Sequence, residues 1–254
     1  MGEATAGDGG EVVTAAVLVI GDEILSGRTK DRNIGYIAEY LTALGIDLRE
    51  ARIVPDVVSE IAAAVNALRG RYTYVFTTGG IGPTHDDITA DGIAEAFGVP
   101  VHHDPRAVEI LKAYLGDRLN EARLRMARMP VGSELIENTV SKAPGWRIGN
   151  VYVMAGIPSV MHAMLDAIAP TLRTGTVIES RTVEGRGIKE GDVGGPLGDI
   201  QAAFPQVMIG SYPHFDGNQF TTSLVLRSRD TAALDAAEAQ VRALVERLLA
   251  EVRP

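Results

Sequence analysis

The chain has no cysteine in its 254 residues. That excludes disulfides, thiolate zinc sites and cysteine nucleophiles, and leaves carboxylates and histidines as the available metal ligands. Aromatic residues are scarce at 5%, with a single tryptophan. Trp146 and Tyr212 are candidate stacking surfaces for a purine or pterin, although a place in the core is the plainer expectation for each. No apolar run reaches the length of a membrane span. The first residues, MGEATAGDGGEVV, lack the basic and apolar regions of a signal peptide, and 1–12 read as a small, acidic, disordered tail. A cytoplasmic protein without a membrane partner is expected. Positive charge is also in deficit. A formal net charge of −9 argues against non-specific nucleic-acid binding, so no nucleic-acid partner is expected. An anionic ligand would then depend on helix N-termini, arginines or a metal ion.

The remaining composition, 46% hydrophobic and 22% charged, is that of an ordinary globular protein. AAVLVIGDEI (Ala15 to Ile24) is a short apolar run stopped by Gly21, the pattern of a strand buried on both faces. Ile34, Ile37, Leu41 and Leu44 recur at helical spacing before Gly45. IDLREARIV alternates like a strand, and Ile61, Val65 and Leu68 mark a helix opened by Pro55-Asp56. YTYVFTT is a strand that runs into TTGGIGPTHDDITADG. Helices are expected from Ile88 to Phe97 and from Asp104 to about Leu119, followed by a loop-rich segment to Trp146. NVYVMAG is a strand, and Pro158 begins a helix carrying Val160, Met161, Met164, Leu165 and Ile168. This alternation implies an α/β fold with a mostly parallel sheet over residues 13–173. From 174 to 254 the order becomes β-α-β-β-α, a smaller α+β domain.

Three motifs sit at strand carboxyl ends, where ligands of such sheets bind. In TTGGIGPTHDD, Gly79, Gly80 and Gly82 allow positive φ and close approach of backbone amides to a ligand. There is no lysine of the P-loop kind. Asp86 and Asp87 repel each other unless a cation sits beside them, and Mg²⁺ would satisfy both and bridge phosphate oxygens. The plainer alternative makes Thr84 or Asp87 an N-cap and His85 a solvated loop residue. In GDEILSG, Asp22 and Glu23 follow the buried strand, with Asp22 or Ser26 as a possible cap. The cluster Arg28, Lys30 and Arg32 could meet phosphates or face solvent. Asp56, by position, is an N-cap. In AGIPS, Gly156 ends a strand and Pro158, with Ser159 after it, opens a helix in anion-binding geometry. Arg123, Arg125 and Arg128 could clamp a phosphate or lie on a solvated face.

TTGGIGPTHDDIT resembles the signature of the molybdopterin-binding domain of molybdenum-cofactor biosynthesis. GDEILSGRTKDRN, the VPD of Val54 to Asp56, and MAGIPSVM resemble more narrowly the amino-terminal domain of competence/damage-inducible protein A (CinA). IGSYPHFDGN is similar to stand-alone bacterial members and to the molybdopterin-binding-like domain of eukaryotic FAD synthases. The resemblance implies a three-layer molybdopterin-binding-like fold with functional aspartates at Asp56 and Asp87. It also implies ligand contacts at Asp22, Asn33, Gly79, Gly80, Gly82, Thr84, Gly156, Pro158 and Ser159. CinA-type domains are associated with divalent-metal-dependent hydrolysis of pyrophosphate bonds in ADP-ribose or FAD-like compounds. The metal (Mg, Mn or Co) is then expected at Asp86, Asp87 and Glu23. A non-catalytic molybdopterin or nucleotide binder, or a molybdopterin-adenylylating protein, are the alternatives. The ligand is in each case a small nucleotide or pterin, and a homo-oligomer, dimer or trimer, is implied. The nicotinamide-mononucleotide deamidase activity of full-length CinA is not carried over. Cofactor-biosynthesis members tend to have arginine where this chain has Asp86, a departure that favours a metal-bridged pyrophosphate over direct arginine clamping.

Overall fold

A computed structural model describes residues 12–252; the tail expected over 1–12 lies, apart from Val12, outside the described residues. The chain divides into two compact units, Met1–Gly175 and Thr176–Pro254. In the first, β1 (Val13–Ile20), α1 (Asp22–Leu25), α2 (Asn33–Ala43), β2 (Ile46–Val54), α3 (Val58–Arg69) and β3 (Tyr74–Thr78) come first. Then follow α4 (Thr89–Phe97), β4 (Val101–His103), α5 (Pro105–Leu115), α6 (Glu121–Leu124), β5 (Arg128–Pro130) and β6 (Glu134–Ile136). The unit closes with β7 (Gly145–Ile148), β8 (Val151–Met154) and α7 (Pro158–Ile168).

Six strands form one sheet in the order β2-β1-β3-β8-β7-β6. β2, β1, β3 and β8 run parallel, and β7 and β6 are antiparallel additions. The apolar run of β1 accounts for its central place, since alternate residues serve opposite faces. Ala16, Leu18 and Ile20 join the core with Ile61, Val65 and Leu68 of α3 and Ile93 of α4. Val13, Ala15, Val17 and Val19 join the one with Ile37 and Leu41 of α2 and the apolar stripe of α7. Two cores on two faces make a three-layer α/β/α sandwich. Met154, Met161, Met164 and Trp146 are buried, so they belong to the core.

Two boundaries differ from the sequence reading. The helix expected to reach Leu119 stops at Leu115, because Gly116 takes φ +53 and leads into a 3-10 turn at Gly116–Arg118. The segment read as loop-rich contains β6, which pairs with β7.

The second unit is β9 (Glu179–Arg186), α8 (Glu190–Ala203), β10 (Met208–Phe215), β11 (Phe220–Ser228) and α9 (Thr231–Val252). Its antiparallel sheet has the order β10-β11-β9. Val183, Leu224 and Leu226 pack on Val193 and Leu197 of α8 and on Leu234, Val241 and Leu244 of α9. α8 stays continuous despite its glycines and an internal Pro196. Tyr212, expected in the core, is 56% exposed on the edge strand β10.

Asp104 shows how the start of α5 is held. Its carboxylate accepts the N–H of Arg106 at 2.9 Å and pairs with the Arg106 guanidinium at 2.7 Å. That guanidinium also donates to the Ser133 carbonyl at 2.8 Å. Asp104→Ala is therefore expected to lower the unfolding free energy by about 1–2 kcal/mol, measured by urea denaturation. The Arg106 bonds hold the Asp104 carboxyl below the usual aspartate range. Its contribution is thus complete above the unfolded value of about 4 and is lost as pH falls through the lower folded value. The stability gap between wild type and Asp104→Ala is expected to be flat from pH 7 to 5 and to narrow in stronger acid.

Candidate functional site

β1 lies between β2 and β3, so the chain leaves it in opposite directions and opens a crevice at the strand carboxyl ends. The loops after β1, β3 and β8 meet there through glycines. The amide of Gly79 donates to the Met154 carbonyl at 3.2 Å. A β-carbon on Gly79 would stand 2.1 Å from the Ile20 carbonyl oxygen, and one on Gly156 would stand 3.3 Å from the Gly79 α-carbon. Gly79 and Gly80 take φ +103 and +64, values that an L side chain resists. Thr89, the first residue of α4, ties down the far side. Its hydroxyl donates to Gly79 O at 3.0 Å and its N–H to Gly80 O at 3.1 Å. With those carbonyls turned to α4, the amides of Gly80, Ile81 and Gly82 have no acceptor among the described residues.

Around this turn stands a group of carboxylates. Oδ2 of Asp56 accepts the N–H of Asp22 at 2.9 Å, joining the VPD turn to the GDE turn. Burial raises the Asp56 carboxyl above its ordinary range; the Asp22 N–H opposes this, and the charges of Asp22, Glu23 and Asp86 add to it. Asp86 is shifted the other way, held low by the Thr84 hydroxyl, for which it competes with Asp87, and by its own N–H, then by the charges of His85 and Arg28. Asp87 turns back into its own loop, where Oδ2 accepts from Thr84 N at 2.7 Å and Thr84 Oγ1 at 2.6 Å.

Several sequence expectations are corrected by these contacts. Asp56 does not cap α3, whose N-cap is Val57; its side chain is drawn to Asp22 instead. Neither Thr84 nor Asp87 caps α4, whose N-cap Ile88 has no side-chain bond, since the two bond each other. Asp22 is the first residue of α1 and Ser26 its C-cap, so neither is an N-cap there. His85 is exposed. Arg125 does not wait for a phosphate: it donates to the carbonyls of Thr84 at 2.9 Å and Asp87 at 3.3 Å. Arg128 pairs with Asp91 of α4 at 2.6 Å, and Arg123 donates to the Arg118 carbonyl.

Asn33, buried at the start of α2, donates its Nδ2 to Gly156 O at 2.9 Å. This brings the DRN motif to the AGIPS loop, where Pro158 opens α7 and Ser159 is exposed. Arg28, Lys30 and Arg32 are all exposed. Among the described residues no three His, Asp or Glu side chains gather closely enough to hold a metal ion by themselves. Glu23, Asp86 and Asp87 thus form no closed cage. Sequence reasoning missed Thr89 as the residue that orients the glycine turn; a threonine ten residues after Gly79 carries no local signal of that contact.

Residues 16–174 match the family model described as "Probable molybdopterin binding domain". The chain belongs to that family. Residues 186–251 match a second model, "FAD synthase, middle domain". A protein of Aeropyrum pernix is 34% identical over 94% of this chain and 92% of its own length. The "Probable FAD synthase" of Caenorhabditis elegans is 31% identical over 91% of this chain, which spans only 50% of that relative. The crystal structure of the protein CinA of Thermoplasma acidophilum, titled as of unknown function, is 35% identical with a TM-score of 0.59. It covers 62% of this chain and 98% of its own. The chain is thus a CinA-type molybdopterin-binding domain protein, and the mostly parallel sheet is the one the resemblance implied. No described helix is long and apolar enough to cross a membrane.

The glycine contacts can be tested against a glycine that shares only the backbone sign. Gly27 takes φ +72, and a β-carbon there would meet nothing within 4 Å, whereas one on Gly79 would meet backbone. Gly27→Ala is expected to cost about 1 kcal/mol, the left-handed penalty alone. Gly79→Ala is expected to cost about 3 kcal/mol or more, or to prevent folding, because Ile20 belongs to the central strand. Urea midpoints of the two variants measure the difference.

Proposed function

We propose that this chain hydrolyses the pyrophosphate bond of a nucleoside diphosphate-linked compound such as ADP-ribose or FAD. A divalent cation, Mg²⁺, Mn²⁺ or Co²⁺, is shared between protein and ligand. The observation that carries this reading is the row of amides at Gly80, Ile81 and Gly82 without an acceptor among the described residues, on the loop whose Asp86 lies in the carboxylate group of Asp22, Glu23 and Asp56. Amides attract phosphate, while carboxylates in that number repel it unless a cation intervenes. The match of 186–251 to an FAD synthase domain adds support for a nucleotide ligand.

The absence of a three-ligand cluster among the described residues does not suit an ion caged by protein alone. It suits one that keeps several waters and binds through one or two carboxylates plus substrate phosphates, as Mg²⁺ does. Oδ1 of Asp87, with one of Asp86 and Glu23, would share it. Such an ion supplies neutralisation of the phosphoryl oxygens. The chain's own residues do the remainder. The glycine-turn amides take one phosphate and the Gly156–Ile157 backbone takes the other. Asp56, with Oδ2 fixed by the Asp22 amide, accepts a proton from the attacking water, a task that its raised carboxyl suits. The water oxygen bonds to phosphorus, the bridging P–O bond breaks, and the proton passes on to the departing phosphate.

A second reading follows from the family description: a molybdopterin or nucleotide binder without turnover, or a protein that adenylylates molybdopterin. One screen separates them. Purified protein with Mg²⁺, Mn²⁺ or Co²⁺ is incubated with ADP-ribose, FAD and CoA, and monophosphate release is followed. Turnover is expected, with Asp56→Asn and Asp87→Asn slower by about 100-fold or more. Saturable binding without turnover would favour the binder, and ATP-dependent product from molybdopterin the adenylylating protein. If all three compounds stay intact with every metal, the hydrolase reading fails.

A further inference from the structure

We infer that Arg125 is a positioning residue that sets the Thr84–Asp87 turn before any ligand arrives. The sequence places the arginine 38 residues beyond Asp87, yet its guanidinium reaches both ends of the turn. Nε donates to Thr84 O at 2.9 Å and Nη2 to Asp87 O at 3.3 Å. The same two residues are also joined from within, by the Thr84 bonds to Asp87 Oδ2 and by the Asp87 N–H to Thr84 O at 3.3 Å. The turn is thus closed once by its own side chains and once by an external fork.

The brace is anchored. Arg125 opens a 3-10 turn whose Ala127 is fully buried, and the Ala127 carbonyl accepts the N–H of Asp104 at 2.9 Å. Arg128, three residues on, is paired with Asp91 in the first turn of α4. A segment fastened to the core at one point and to α4 at another holds its guanidinium still.

Charge gives the contact its purpose. Asp86 and Asp87 are adjacent carboxylates at the end of this turn, Asp86 exposed and Asp87 half-buried. Arg125 brings a permanent cation to that turn but directs its hydrogen bonds to carbonyls. Asp86 and Oδ1 of Asp87 are therefore not taken up by the guanidinium. Lysine would bring the charge without the planar fork that spans two carbonyls. The effect on ligand affinity rests on the hydrolase or binder reading above; the effect on the turn does not.

The test uses the full chain and has two arms. In the first, amide hydrogen exchange is measured without ligand. Arg125→Ala is expected to speed exchange of the Thr84 amide about tenfold or more, while α4 amides and the melting temperature stay close to wild type. Millimolar guanidinium chloride is expected to slow it again. Arg128→Ala, which loses only the α4 ion pair, is expected to leave Thr84 unchanged. Unaltered Thr84 exchange in Arg125→Ala, or equal acceleration across the whole unit, overturns the inference. If Arg125→Ala does not fold, Arg125→Lys carries the same comparison.

In the second arm, ADP-ribose binding with Mn²⁺ is titrated. Affinity is expected to fall about tenfold in Arg125→Ala, to stay low in Arg125→Lys, and to recover with guanidinium. Wild-type affinity in Arg125→Ala also overturns the inference. If the wild type itself does not bind, the ligand reading fails, and the exchange result alone decides whether Arg125 sets the turn.

Discussion

The Ile20 carbonyl oxygen stands where residue 79 would carry a β-carbon, 2.1 Å from its ideal position. Because residue 79 has none, the backbone leaving β3 can cross directly over the end of β1. The loop after β8 follows closely, with Gly156 against Gly79. Three strand ends are thereby brought into one crevice, and the chemistry of the unit depends on that approach. Larger residues at these positions would hold the loops apart.

Within the crevice the electrostatics are unbalanced. Burial and three neighbouring carboxylates raise Asp56, while hydrogen bonds and nearby cations lower Asp86. Positive charge comes from outside the acidic motifs: Arg28 acts on Asp86 from the loop after α1, and Arg125 braces the turn from beyond α5. Arg125 gives its hydrogen bonds to carbonyls rather than to the paired aspartates, so the local charge remains negative. Under the proposed reading, these amides and surplus carboxylates would receive an anion that arrives with a cation. That reading would account for Asp86 and Asp87 at the end of a glycine turn suited to phosphate.

Much of the fold was legible in the chain. The uninterrupted apolar run at 15–20, stopped by Gly21, reads as a strand covered on both faces, and the stripe on α7 as a face turned to a core. Gly45 and Gly98, at φ +70 and +66, close their helices as the spacing predicts. Less legible were the short edge strand β6, which lacks a periodic run of useful length, and the exposure of Tyr212 on the edge strand β10. Of the candidate site, Asp22, Gly79 and Gly80 stood out in the sequence because each follows a strand end, and Asp56 and Asp87 through the family resemblance. Their partners did not. Position made Asp56 a cap, and only the approach of Asp22 across 34 residues took it away.

The sequence by itself determined the alternation of strands and helices, the positions of the turns, and the residue types at strand ends, because these follow from local periodicity and backbone sterics. Tertiary structure alone decided which turns meet and which hydrogen bonds their side chains make. Asp56 holds Asp22, Thr89 holds the glycine turn, Asn33 holds Gly156, and Arg125 holds Thr84 and Asp87. Such bonds are short in space and long in sequence. No propensity encodes them, since a polar side chain takes the partner that the packed sheet brings within about 3 Å.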